Sequence, residues 1–571
     1  MAVLDNDFSF PFIHPMDLLT SLGQAGCVEY ILGVPVADAE SHLSSFWAKF
    51  RKIYPNHDLC HSETNWSNLI PYYLHGDGGR TFKKDPILIL SMYSCLGRGT
   101  ASKPVSLKRS HEDAFAEEGY DPGVNLRGHS FTHRFLFTAM RAEFYKKKTW
   151  RFERLVDEWG KALAFLYTDG IALNGRTWRI AVVGLTGDAP FLREAGFHQR
   201  SFSNVKKSHE SKTAAKGVCW LCTAGMEGGP RFEDLRIHGA DWIATCGANN
   251  IIPWETPGPL LAHLCIDQES PAEFYRPDLF HVFHAGVGKD WCASAIIYLC
   301  KKPLKQRSIT KSLALVNDEF QKYLRRSGKR VAFSHFTLDL LSYGTSGSYP
   351  AGKWSKNMDT AVICQFVEDL SLQHVDLRDV DSILELIVDG SNAASQFMHV
   401  LFHGSFWLSE GDAWQAISSG HSFLQCYSKL AAASHTASLC LFKLKPKIHT
   451  LCHIVRTMYQ QSLTGTDCVI NPVAESTFMS EDFVGHVSRL SRRANPRRQG
   501  ERVYNRYLVA LREKLDASRA PLSSVMRKGA FPPGFNMFRT CDHDCCITAT
   551  TVSVSGVGGR PEHSRSWRPQ A

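Results

Sequence analysis

Two apolar runs in this chain each end on an aspartate, and a later amphipathic stretch opens on a glutamate. The first run is Leu69-Ile-Pro-Tyr-Tyr-Leu-His-Gly-Asp77 and the second is Ile180-Ala-Val-Val-Gly-Leu-Thr-Gly-Asp188. The third element is Glu481-Asp-Phe-Val-Gly-His-Val-Ser-Arg-Leu490. A nearly continuous apolar run suits a strand buried on both faces. Phe483, Val484, Val487 and Leu490 give the glutamate segment one apolar side, as in a helix packed on a core. Two strand-end aspartates and a helical glutamate are the ligands of a site that holds two divalent cations for phosphodiester chemistry. Asp77, Asp188 and Glu481 are therefore the candidate catalytic residues and the candidate ligands of two Mg2+ (or Mn2+) ions. Glu475 and Asp482 compete for the third place; Glu481 is preferred because the apolar side would anchor it to the core. A plainer reading exists for each aspartate. Asp188 precedes Ala189-Pro190, the pattern of a helix N-cap, and Gly78-Gly79 after Asp77 reads as a turn.

The elements between these acids set the expected architecture. Residues 69–97 read as a hairpin turning at Gly78-Gly79, Phe131–Met140 as a third strand, Trp150–Leu173 as a helix and Trp178–Gly187 as a buried strand. The order strand, strand, strand, helix, strand resembles the RNase H-like core, with the first acid on the first strand and the second just after the fourth. The expected fold class is α/β: an RNase H-like mixed-sheet catalytic core interrupted by a large all-helical insertion. A chain of 571 residues has room for both.

The expected divisions are a helical region over 1–65, with Asp38–Tyr54 at helical spacing, and the first part of the core with its cysteine pair over 66–230. A helical insertion over 231–465 and core helices carrying the third acid over 466–518 follow. Within the insertion the helical segments are Asp290–Cys300, Ser312–Arg326, Met358–Leu372, Val380–Val388, Ser395–Leu408 and Asp412–Leu441. A further helix is expected over Arg502–Asp516, and the Ser-, Gly- and Pro-rich stretch over 519–571 reads as disordered.

Cysteine and histidine add a second chemistry. Cys219-Trp-Leu-Cys222 is a C-x2-C pair, and His449-Thr-Leu-Cys-His453 is an H-x3-H pair whose imidazoles share one helical face. Two thiolates and two imidazoles make a closed tetrahedral Zn2+ site of the structural kind. A competing set joins His281 and His284 to the same cysteines, and Cys541-Asp-His-Asp-Cys-Cys546 is a further ligand-like cluster in the tail. The chain begins without a basic stretch followed by an apolar one, and no apolar run reaches 18 residues. The 17 cysteines are accordingly expected to be thiols or metal ligands of an intracellular protein. The formal charge of +9 mildly favours a polyanionic partner.

Several of these stretches together resemble CACTA-type transposases, and the Plavaka branch in particular. Pro277-Asp-Leu-Phe-His-Val-Phe-His-Ala-Gly-Val-Gly-Lys-Asp290 is similar to their Asp-x-x-His block, which Asp278 and His281 carry here. Gly187-Asp188-Ala-Pro-Phe with its downstream cysteine pair is similar to their second catalytic acid. Lys447-Ile-His-Thr-Leu-Cys-His453 resembles their histidine pair, and Glu481 to Arg493 their glutamate helix. Across residues 65–515, the resemblance implies a DDE polynucleotidyl transferase that nicks DNA hydrolytically and transfers the 3′-hydroxyl to a target. Transposon ends and target DNA would be its partners, a homo-oligomer its working form and the nucleus its location. Only 76 residues precede Asp77, so the family's long N-terminal DNA-binding region is expected to be short or missing. The Asp-x-x-His block also lacks the Glu-Lys-Asn ending of plant members.

Asp188 is preferred over Asp278 as the second acid because it follows an apolar strand, whereas Asp278 opens a helix. Asp278 and His281 are read as ordering the insertion through a mutual hydrogen bond. Beyond Glu481, Arg489, Arg492, Arg493, Arg497 and Arg498, then Arg502, Arg506 and Arg512, make a phosphate-contacting stretch. Lys146-Lys-Lys148 and the Arg325 to Arg330 group read as solvated surface. Two rival functions stay open: a catalytically inactive or co-opted DNA- or protein-binding chain, and a zinc-stapled helical scaffold whose acids are only caps and lie far apart.

Overall fold

Both aspartates belong to one five-stranded sheet. The structure, a computed structural model, describes residues 1–5, 8–61, 65–81, 84–100, 122–205, 215–344, 347–375, 381–465, 468–494 and 499–519. Strand β1 (Leu69–Arg80) pairs antiparallel with β2 (Pro86–Ser94), and β2 pairs antiparallel with β3 (Phe135–Arg141). Helix α1 (Thr149–Thr168) then carries the chain over the sheet to β4 (Ile171–Leu173) and β5 (Arg176–Gly187). The spatial order is β3-β2-β1-β5-β4, with β1 and β5 parallel. A parallel pair needs a crossover connection. The apolar stripe of α1 (Phe152, Leu155, Val156, Trp159, Leu163 and Leu166) is buried beneath it. The outer edge of β5 is met by β4 at its start and by Tyr275 opposite Leu185 near its end.

Helix α2 (Ala189–Ala195) begins one residue after Asp188, and residues 215–275 follow with only short 3-10 turns. A π-helical segment, Phe280–Val287, runs without a break into α3 (Gly288–Lys301). Helices α4 (Ile309–Ser327), α5 (Asp359–Leu372), α6 (Ser382–His403), α7 (Glu410–Thr436) and α8 (Pro446–Ser462) complete a helical layer. Helix α3 is buried from Asp290 to Cys300 and forms its centre, as a helix apolar on all sides must. Helix α9 (Phe478–Arg492) returns to the sheet across β1 and β2, and α10 (Gln499–Arg519) packs against α9 and β3. One continuous hydrophobic core joins sheet and helices.

The structure differs from the sequence reading at several places. Gly78 and Gly79 are not a turn. They lie inside β1, opposite Leu88 and Ile87, and the chain reverses only after Arg80. A methyl group on Gly79 would collide with Ser488 Oγ of α9, so the glycine serves a close helix approach. Residues 382–388 and 395–403 of the two expected helical segments are joined in the single helix α6, whose Gly390 admits the Trp291 indole, while Trp407 and Leu408 lie in a short strand. Residues 231–275 are irregular rather than helical, and the N-terminal region opens with an unexpected hairpin, Ala2–Asp5 with Phe8–Phe10. The tail from residue 520, with Cys541 to Cys546, lies outside the described residues, as do Arg497 and Arg498. Among the described residues no helix is long and apolar enough to cross a membrane.

Candidate metal centres

The cysteine pair and the histidine pair meet. Cys219 and Cys222 sit in the irregular segment after α2, and His449 and His453 lie one turn apart on α8. All four are buried, and their ligand atoms lie within 4.8 Å of one another. Cys222 Sγ is 3.2 Å from His449 Nε2, Cys219 Sγ is 3.4 Å from His453 Nε2, and the two Nε2 atoms are 3.2 Å apart. With Zn–S near 2.3 Å and Zn–N near 2.05 Å, the edges of a tetrahedron are about 3.3–3.8 Å, so the donors fit a Zn2+ ion. Backbone N–H groups of Leu221 and Ala224 point at the two sulfurs, at 3.4 and 3.5 Å, and stabilise negative charge there. Burial, then the neighbouring Cys222, pushes the Cys219 thiol up; a cation offsets both effects. The Trp242 ring covers both imidazoles, with centroids 4.9 and 4.6 Å away. His281 and His284 take no part, which corrects the competing set. His284 is fully buried among Phe280, Phe283, Phe402 and Phe478.

The carboxylates form a different kind of centre. Gly76 of β1 lies opposite Gly187, the last residue of β5; Asp77 comes next in β1, and Asp188 comes next as the cap of α2. Asp77 is buried, and the charges of Glu481 and Asp188 act on it. Burial, then the charges of Glu481 and Asp188, hold the Asp77 carboxyl well above the usual carboxylate range. Burial likewise raises Glu481, although His281 and Asp77 pull it back in part. Asp188 caps α2, its Oδ1 accepting the Phe191 N–H at 2.8 Å. Its Oδ2 has no protein donor among the described residues. Glu481 Oε1 is buried without a hydrogen bond. The acids are an all-oxygen set whose mutual repulsion His281 offsets in part. The three acids are not packed as closely as the Cys/His set, which among the described residues is the one cluster within 4.8 Å throughout.

Asp278 is not a third ligand in waiting. It is buried, and its Oδ1 accepts from the N–H groups of Phe280 (2.9 Å) and Thr477 (3.0 Å). Its Oδ2 accepts from Thr477 Oγ1 and His281 Nδ1, both at 2.6 Å. Burial raises this acid, but those bonds hold it below the usual range. Thr477 precedes α9 directly, so Asp278 pins the start of the Glu481 helix as well as the π-helical segment. His281 turns its other nitrogen toward the centre, with Nε2 3.4 Å from Glu481 Oε1. Burial opposes its charge, yet Asp278, Glu481 and Asp77 raise His281 to about 9. The rival acids are engaged elsewhere. Glu475 is 3.5 Å from buried Arg276, and Asp482 accepts from Ser130 Oγ at 2.7 Å.

Lys447 escaped the sequence reading as a functional residue. It sits two positions before His449, and Nζ donates to the His281 and Ala285 carbonyls at 3.0 and 3.3 Å. It thus ties α8, the helix of His449 and His453, to the segment that carries His281. Its only signal in the sequence was proximity to the histidine pair. Of the arginines, Arg489, Arg492 and Arg493 are exposed on the last turns of α9, with Arg492 Nε donating to the Arg80 carbonyl at 3.1 Å. The sequence matches no protein-family model and no curated protein.

Proposed function

We propose that this chain is a DDE transposase-like polynucleotidyl transferase of the CACTA type, Plavaka-like, built on an RNase H-like core. The reading rests on buried Asp77 at the end of the parallel β1–β5 pair, where the charges of Glu481 and Asp188 both act on it. The strand order, three antiparallel strands with a fourth parallel to the first, supports the core. Asp77, Asp188 and Glu481 would hold two Mg2+ ions, which when bound activate the attacking oxygen and stabilise the leaving one.

In the nicking step a water oxygen bonds to phosphorus and the 3′ oxygen leaves with a proton. In the joining step that 3′-hydroxyl oxygen bonds to a target phosphorus, the target's own 3′ oxygen leaves as that bond breaks, and the proton given up by the attacking hydroxyl balances the one taken by the leaving oxygen. The chain's own part is positional. Asp278 and Thr477 fix the start of α9, His281 orients the Glu481 carboxyl, and the exposed arginines of α9 supply sequence-neutral phosphate contacts. DNA, a homo-oligomeric assembly and a nuclear location belong to the same proposal.

A second reading, a non-catalytic DNA- or protein-binding descendant, draws on the looser packing of the three acids. Nicking of supercoiled plasmid under Mg2+ or Mn2+ titration separates the two. The catalytic reading expects metal-dependent nicking that Asp188→Asn abolishes while the protein stays folded. Nicking retained in that variant refutes the assignment, and a folded wild type that never nicks favours the second reading.

A further inference from the structure

Of the chain's four H-x3-H pairs (His57/His61, His129/His133, His399/His403 and His449/His453), His399 and His403, on the last turns of α6, are the pair with both residues exposed. We propose that this pair is an external, open chelate for a divalent transition-metal cation. The two rings lie with centroids 4.1 Å apart and planes at 33°. Both side chains are exposed. His403 Nδ1 is 2.8 Å from the His399 carbonyl oxygen. A carbonyl only accepts, so Nδ1 carries the proton and the lone pair is on Nε2. The bond also fixes the ring, as the second hydrogen bond of a metal-bound histidine does. Among the described residues no carboxylate pairs with either imidazole.

Spacing and position both favour a cation. The i,i+4 step puts two imidazoles on one helical face. In this same chain that step brings the Nε2 atoms of His449 and His453 within 3.2 Å. His403 is the final residue of α6, where the unpaired carbonyls give the helix end a partial negative charge. The difference from the inner pair is closure. Cys219 and Cys222 complete the inner set, whereas His399 and His403 leave the remaining coordination positions to solvent. Imidazole pairs of this kind select late first-row cations, Cu2+ and Ni2+ as well as Zn2+, over Mg2+.

The test is Ni2+ binding to the zinc-loaded full-length protein by equilibrium dialysis, compared with His399→Ala, His403→Ala and the double variant. Comparing variants with the wild type subtracts any Ni2+ held by other cysteines or histidines. The wild type should bind one more Ni2+ than the double variant. Each single variant should weaken that ion at least about tenfold, because the second contact is intramolecular. Zinc content and melting temperature should not move, since both residues are exposed. Equal Ni2+ stoichiometry in wild type and double variant overturns the proposal, as does loss of Ni2+ that follows zinc loss or unfolding.

Discussion

The Cys/His cluster and the proposed carboxylate site of this molecule are opposites. The Cys219, Cys222, His449 and His453 set is fully buried, soft in its donors and closed, with all four donor atoms within 4.8 Å. The Asp77, Asp188 and Glu481 set is hard, looser and only part-buried, with one Glu481 oxygen lacking a hydrogen bond. A closed thiolate-imidazole cage holds its ion for the sake of the fold. An oxygen set that held a cation as proposed would leave positions for water and phosphate. The two are mechanically joined: α8 carries the histidines, and Lys447 on its first turn grips the segment whose His281 faces Glu481.

The sharpest way to break this contrast is to open the cage. Cys222→Ser should release zinc and cost more than about 4 kcal/mol, the range reserved for lost metal sites. Urea unfolding with parallel zinc analysis checks this, and a variant of wild-type stability without zinc would make the cage dispensable. Next in size, Asp278→Asn breaks a buried, hydrogen-bonded charge pair and should cost about 3–5 kcal/mol.

The same pair predicts a pH dependence. His281 is raised to about 9 in the fold, so its contribution is fully present below its ordinary value of 6.5 and is lost as pH rises through 9. The zinc-loaded, magnesium-free protein should therefore lose stability across that window, and His281→Asn should flatten the loss.

The carboxylate centre should behave in the opposite sense to the cage. Asp77 and Glu481 are raised, so the fold loses stability as pH climbs out of the ordinary carboxylate range. Without divalent cations, Asp77→Asn should stabilise the protein at neutral pH by about 0.5–2 kcal/mol, through relief of the like-charge repulsion on the buried carboxyl. An unchanged urea midpoint would show that no repulsion is stored there. The smallest effect is expected at the surface. Arg489→Ala should lower DNA affinity evenly across sequences and reduce the salt slope by about 1.

What could be read from the chain was what local chemistry encodes. The apolar runs ending on Asp77 and Asp188 marked buried strands, and the Cys-x2-Cys and His-x3-His spacings marked the two halves of the Cys/His cluster, because each of these patterns is complete within a few residues. What escaped depends on distant partners. Gly78-Gly79 looked like a turn, but Gly79 answers to Ser488 on α9. Gly390 weakened the helical pattern of α6, yet it answers to Trp291. The approach of His281 Nε2 to Glu481, and the grip of Thr477 on Asp278, join residues some 200 positions apart (199 for Thr477 and Asp278). Local periodicity carries no trace of such contacts.

Crystals of the zinc-loaded protein soaked in Mn2+, with anomalous scattering recorded at the manganese edge, bear most directly on the central claim. Manganese density enclosed by Asp77, Asp188 and Glu481, absent from Asp188→Asn crystals, is the predicted result. Density that ignores any one of those three carboxylates, or survives the substitution unchanged, would contradict it.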